Sequence, residues 1–168
     1  MTGFAKPLRT VLAAALLLAL HPAQAQDSEP APDPRAQNPA WHAQQQAYLL
    51  GLTAADGWHF IDGGVRWRWV TYRASQQKPK VSDTVTVHYE GKLIDGTVFD
   101  SSYARGQPAT FPLARLVKGW QLAIPQMGVG ETIEIAIPAD LAYGPVGRGP
   151  IPGNATLVFK VELIAIAD

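Results

Sequence analysis

Phe99 and Asp100 adjoin at the end of the strand-like stretch Thr97-Val98-Phe99, which follows a similar run ending at Tyr89. A ring beside a carboxylate at a strand end either closes a core and caps the chain, or lines the wall of a pocket. Other reactive side chains are sparse. The histidines, His21, His42, His59 and His88, lack metal-ligand spacing with acids. The chain has no cysteine, which removes disulfides, thiolate metal sites, a cysteine nucleophile and a lipid-carrying N-terminal cysteine. No G-x-S-x-G elbow occurs. Gly128-Val129-Gly130-Glu131-Thr132 has a trace of a phosphate loop, but it lacks G-K-S/T and follows a helical stretch instead of preceding one. Arg66 and Arg68 interleave with Trp67 and Trp69 and could stack on nucleic acid, yet basic residues are few and the formal net charge is zero. Nothing in this inventory favours hydrolysis, redox chemistry or phosphoryl transfer.

The elements that must position Tyr89, Phe99 and Asp100 are strands. Val85, Val87 and Tyr89 alternate with Thr84, Thr86 and His88, the period of a half-buried strand, and His88 is expected on the exposed side. Asp95-Gly96 suits a tight reversal, after which Thr97-Val98-Phe99 resumes strand character. Val65 to Val70 alternates strictly, with Val65, Trp67 and Trp69 on one face and the arginines on the other. Ile133, Ile135 and Ile137 form one side of a further strand that Pro138 stops. Leu157, Phe159, Val161 and Leu163 share a face of the last strand, within Ala155 to Ile166. Trp120, Ile124 and Met127 would share a face of a helix from Lys118 to Met127, short or kinked because of Pro125 and ended by Gly128. Gly57 to Gly64 reads as a turn, Gln76 to Lys80 as a polar loop, and Leu141 to Gly153 as an irregular loop. Several strands and one amphipathic helix predict an α+β layer, an antiparallel sheet covering a helix.

The 168 residues leave room for one domain plus extras. Residues 1–25 read as a signal peptide: Lys6 and Arg9, the apolar run Val11 to Leu20, then Ala23-Gln24-Ala25 before cleavage near Ala25-Gln26. The apolar run is too short for a membrane anchor, which takes about 20 residues. Residues 26–39 are proline-rich and polar and read as a flexible linker. Residues 40–63 form a short N-terminal extension. Asn38 would cap its helix, with Pro39 at the first position and Trp41, Tyr48 and Leu49 on one face, docked on the domain or on a second copy.

The run V-H-Y-E-G-K-L-x-D-G-T-x-F-D-S-S resembles the start of the FKBP domain, the macrolide-binding family of peptidyl-prolyl cis–trans isomerases. Lys118-Gly119-Trp120, Met127-Gly128-Val129-Gly130-Glu131, Ala142-Tyr143-Gly144 and Asn154-Ala155-Thr156-Leu157-Val158-Phe159 follow in the family's order and spacing. The similarity covers roughly Gly64 to Ala165. It implies an isomerase domain over residues 64–168, a half-wrapped antiparallel sheet of five to six strands around one short helix. The implied activity is rotation of X-Pro bonds with no cofactor and no metal. The implied partners are proline-containing unfolded or partly folded polypeptides and macrolide inhibitors, with no nucleic acid and no stable membrane anchor. Carried over by position, Tyr89, Phe99, Phe111, Val117, Trp120, Tyr143, Ile151 and Phe159 would line the pocket, with Leu116 at its rim. Trp120 would be the floor under the proline ring. The Tyr143 hydroxyl and the Val117 N–H would donate to the substrate. Asp100 would sit at the edge, bonded to Tyr89 and paired with Arg105, either as part of the pocket or as a structural ion pair.

Ala109 stands where several eukaryotic members carry phenylalanine, the segment from Phe111 to Trp120 is shorter, and Arg148 lies near a frequent histidine. The loop Pro145 to Gly153 resembles bacterial secreted members, which with the leader implies a periplasmic protein; eukaryotic secretion is the alternative. Two functions follow: a prolyl isomerase for exported proteins, or a chaperone or adaptor that uses the same fold with little catalysis. The short N-terminal extension argues for a monomer.

Overall fold

The computed structural model describes residues 33–167. The expected leader and the first part of the expected linker lie outside them. The central strand β3, Thr84–Leu93, buries Val85, Val87, Tyr89, Gly91 and Leu93 and turns the alternate residues outward. It pairs along its full length with β9, Leu157–Ala167. Its other edge is shared by β4, Val98–Ser101, and β5, Ala109–Pro112. Beyond β9 lie β6, Thr132–Ile137, then β2, Val65–Thr71, then β1, His59–Ile61. All these pairs are antiparallel, and among the described residues the sheet holds seven strands.

The count exceeds the expected five to six partly because Gly57 to Gly64 is more than a turn. His59–Ile61 pairs with β2 across the turn at Gly63 and Gly64. Three residues between glycines are too few to show a period. The pairing also absorbs the arginines of β2. Arg66 lies over the ring of its cross-strand partner Phe60, 4.4 Å to the centroid. Arg68 forms an ion pair of 2.6 Å with its cross-strand partner Glu134. Both arginines thus have partners within the sheet.

One face of the sheet carries the core: Val65, Val85, Val87, Ile133, Ile135, Ile137, Leu157, Val161 and Leu163 are fully buried. The helix α2, Lys118–Ala123, lies there and is shorter than expected. Pro125 has no N–H for a continuing α-turn, so Ile124–Gln126 tightens to a 3-10 turn. Trp120, Ile124 and Met127 are still all buried. Gly119 lets α2 approach β6, since a Cβ there would lie 2.4 Å from Ile137. After the helix, the buried carboxylate of Glu131 accepts from the N–H groups of Gly128, Arg73 and Ser75 at 2.7, 3.0 and 3.2 Å. Burial opposes its charge, but these bonds hold its pKa below the usual glutamate range.

The extension folds onto this domain. Helix α1, Pro39–Gly51, starts with the Asn38 side chain accepting from Ala40 N–H, and Pro39 is at its start. Its buried residues are Trp41 and Gln45, while Tyr48 and Leu49 are only half-buried. Gln45 is inside because its amide oxygen accepts the Thr156 N–H at 2.9 Å. The linker reading does not hold from Asp33 onward. Asp33 caps a 3-10 turn, Pro34–Gln37, whose Ala36 is buried. His88 is also not exposed: it is half-buried, bonded to Ser102 at 2.9 Å and stacked on Tyr103. No helix among the described residues is long and apolar enough to cross a membrane.

Candidate active site

Trp120 sits in the first turn of α2, where its N–H donates to Val117 C=O at 3.0 Å. Only 4% of it is exposed. Tyr89 from β3 and Phe159 from β9 stand edge-on to it, at centroid distances of 5.5 and 5.3 Å. Phe99 is edge-on to Phe159 at 5.6 Å, and Phe111 lies 6.1 Å from Tyr89. Such edge-to-face contacts each add about 0.5–1.5 kcal/mol beyond burial and hold the rings at fixed angles.

Two backbone features allow this grouping. Phe159 lies directly opposite Gly91 in the β3–β9 ladder. A Cβ on Gly91 would sit 2.6 Å from Phe99 and 2.7 Å from Phe159, so the missing side chain makes room for both rings. Phe99 itself is the extra residue of a bulge: Asp100 pairs with Gly91 and Val98 with Lys92, leaving Phe99 without an opposite number. A bulge turns a side chain away from its ladder direction.

The rings enclose a cavity of about 430 Å³, lined by Tyr89, Phe99, Asp100, Phe111, Leu116, Val117, Trp120, Tyr143, Ile151 and Phe159, together with Arg148, Gly149 and Pro150. Every residue expected at the pocket lines it except Arg105, which stands behind it. The Tyr89 hydroxyl donates to Asp100, and Arg105 pairs with the other carboxylate oxygen of Asp100. Arg105 also donates to the Tyr89 hydroxyl at 3.0 Å. Burial opposes ionisation of Asp100, but the bonds from Tyr89 and Arg105 and the guanidinium charge outweigh it, holding its pKa below the usual aspartate range. Burial, reinforced by the bond to Asp100, pushes the Tyr89 phenol up. The carboxylate is therefore ionised and occupied, and the phenol stays protonated at neutral pH. Asp100 thus lines the cavity and is also ion-paired with Arg105.

Ser102, fully buried, fixes Tyr89 from behind. Its hydroxyl accepts the Tyr89 N–H at 2.7 Å, and its own N–H donates to Tyr89 C=O at 2.9 Å. Leu116 and Val117 are held by Gln121, which donates to Leu116 C=O at 2.8 Å. The opposite wall is a small hairpin, β7 (Gly147–Arg148) and β8 (Ile151–Pro152). The Arg148 guanidinium lies 5.8 Å from the centre of the Tyr143 ring. Sequence reasoning gave Arg148, Gly149 and Pro150 no place in the pocket. The alternating glycines and prolines from Pro145 to Gly153 were a signal of a tight hairpin, but they do not say which way it faces.

A family model described as FKBP-type peptidyl-prolyl cis-trans isomerase matches residues 75–164. The chain is 46% identical over 124 residues to the peptidyl-prolyl cis-trans isomerase Mip of Coxiella burnetii, covering 73% of this chain and 54% of that one. It is 54% identical over 92 residues to FK506-binding protein 2 of Debaryomyces hansenii, covering 54% of this chain and 68% of that one. Among solved structures, FkpA from Escherichia coli superposes with a TM-score of 0.70 at 39% identity, over 74% of this chain and 58% of the other. A peptidyl-prolyl cis-trans isomerase from Pseudomonas syringae gives 0.69 at 33% identity, over 75% and 92%. The chain spans about half the length of the Mip and FkpA relatives it matches. With the sheet, the short helix and the aromatic cavity in agreement, the chain belongs to the FKBP-type peptidyl-prolyl cis-trans isomerase family.

Proposed function

We propose that this protein is a peptidyl-prolyl cis–trans isomerase acting on proline-containing segments of unfolded or partly folded polypeptides. The observation that carries the reading is the cavity floor: a buried Trp120 with Tyr89 and Phe159 edge-on to it. The barrier to X-Pro rotation is lost amide resonance, about 18–20 kcal/mol. In the twisted amide the nitrogen loses planarity and the carbonyl loses polarity. A dry aromatic cup disfavours the flat, polar amide more than the twisted one. The Tyr143 hydroxyl and the Val117 N–H, neither with an acceptor among the described residues, suit donation to substrate carbonyls. They fix the segment around proline and add an orientation term. Asp100 serves by holding Tyr89 in place, since no proton has to move. About 5 kcal/mol of differential binding corresponds to a several-thousand-fold rate gain.

The decisive experiment is an X-Pro peptide isomerisation assay with purified residues 26–168. Uncatalysed exchange takes roughly 10–100 s. Acceleration that a macrolide suppresses is expected, and an unchanged rate overturns the reading. Export to the periplasm belongs to the same proposal and is supported by the leader-like residues 1–25. N-terminal sequencing of protein from a periplasmic fraction should begin at Gln26. A monomer is supported by α1, whose buried residues Trp41 and Gln45 bond within the same chain. Sedimentation of the mature chain tests it.

A further inference from the structure

The hairpin wall of the cavity is fastened at its root by residues outside the matched family domain, which begins at residue 75. Both ends of the wall meet in one knot. The Asn154 N–H donates to Gly144 C=O at 2.9 Å, next to Tyr143. Gly153 is pressed against the chain beside it: a Cβ there would lie 1.9 Å from the Pro145 oxygen and 2.8 Å from Ala36 Cβ. The N-terminal arm closes on this knot. The buried indole N–H of Trp41 donates to Gly153 C=O at 3.2 Å. Gln45, 4% exposed, accepts from Thr156 N–H at 2.9 Å. The Asn154 amide donates to Ala36 C=O at 2.8 Å.

The geometry points to the arm, residues 33–52, as a positioning element of the active site: it holds the root of the 143–152 wall and thereby sets Tyr143 and Ile151 against a bound prolyl segment. Tyr143 and Ile151 lie next to or within two residues of the knot and line the cavity. The bonds of Trp41 and Gln45 are directional and buried, so losing one shifts the knot instead of merely exposing surface. Small displacements at a wall that orients substrate reduce turnover strongly. The inference rests on the isomerase reading for its kinetic consequence and on the geometry alone for its structural one.

The test uses the full mature chain with Trp41→Phe, which keeps a ring but loses the donor, and Gln45→Met, which loses the acceptor. Ile133→Val, a fully buried site outside the cavity lining, is the matched control for stability. Methyl and aromatic NMR signals of Ile151 and Tyr143, amide exchange at residues 153–156, and kcat and KM on X-Pro peptides are read for each. The expected result is displaced Ile151 and Tyr143 signals, faster exchange at the knot, and kcat/KM lower by about tenfold in both arm variants. Ile133→Val should keep its kcat/KM at a similar loss of Tm. Unmoved Ile151 and Tyr143 signals overturn the inference, as does a kcat/KM that falls no further than in the control. If the wild type itself does not isomerise peptides, the isomerase reading fails, and the NMR signals still decide whether the arm sets the wall.

Discussion

The floor and the wall of the cavity are made by different means. The floor takes Tyr89 from β3, Phe159 from β9 and Trp120 from α2. Those side chains are placed by ladder register and by burial in a continuous core. The wall takes Tyr143 and residues 148–151 from a segment with two short strands, whose course depends on Gly147 and Gly153 lying flush against neighbouring backbone. The floor is therefore bound to the stability of the domain, whereas the wall can shift while the sheet stays intact. Substitutions in the floor should change stability and rate together. Substitution of a cavity-facing wall side chain such as Tyr143 should change rate alone.

The largest effect is expected from Trp120→Ala, which removes the floor. Truncating a buried tryptophan costs about 3–5 kcal/mol, so thermal unfolding should show a large drop in Tm together with loss of isomerase activity. A variant with unaltered Tm would break the comparison. Gly91→Ala should follow, because its methyl meets Phe99 and Phe159 well inside contact distance. Overpacking of this kind costs about 1–3 kcal/mol, and both urea midpoint and kcat should fall.

Asp100 gives a smaller effect with a definite sign. Its folded pKa is depressed, chiefly by Tyr89 and Arg105 working against burial. The stabilisation is thus present above the ordinary aspartate pKa and lost as pH falls through the depressed value. The pair is partly exposed, so solvent screening keeps the amount small. Asp100→Asn should flatten the acid limb of a stability-against-pH curve while leaving its neutral plateau slightly lower. Tyr143→Phe should have the smallest effect on stability, within about 0.5 kcal/mol, because its hydroxyl has no partner among the described residues. Its turnover should nevertheless drop, which is the clearest separation of wall from floor.

The same division governs what could be read before the structure. Alternation fixed the faces of Val85, Val87 and Tyr89 and of Leu157, Phe159, Val161 and Leu163, and helical spacing grouped Trp120 with Ile124 and Met127. These are periodic consequences of burial and need only local residues. The wall has no period. Arg148 lines the cavity from a hairpin that reverses at Gly149-Pro150, with Gly149 at φ 55°, and the direction in which that hairpin faces comes from contacts distant in sequence. Gln45 was hidden for another reason: a polar residue interrupts an apolar stripe, and only the distant Thr156 N–H explains its burial. Strand β1 was hidden by its brevity.

The unpaired place of Phe99 in β4 has a bearing on how the chain tolerates change. Ordinary ladder residues keep their face when a loop grows by an even number, but a bulged residue keeps its direction only while both flanking pairs stay in place. The short link from Leu93 through Asp95-Gly96 to Val98 thus acts as a gauge. One residue added or deleted there would carry the ring out of the cup while every side chain of the cup was still present.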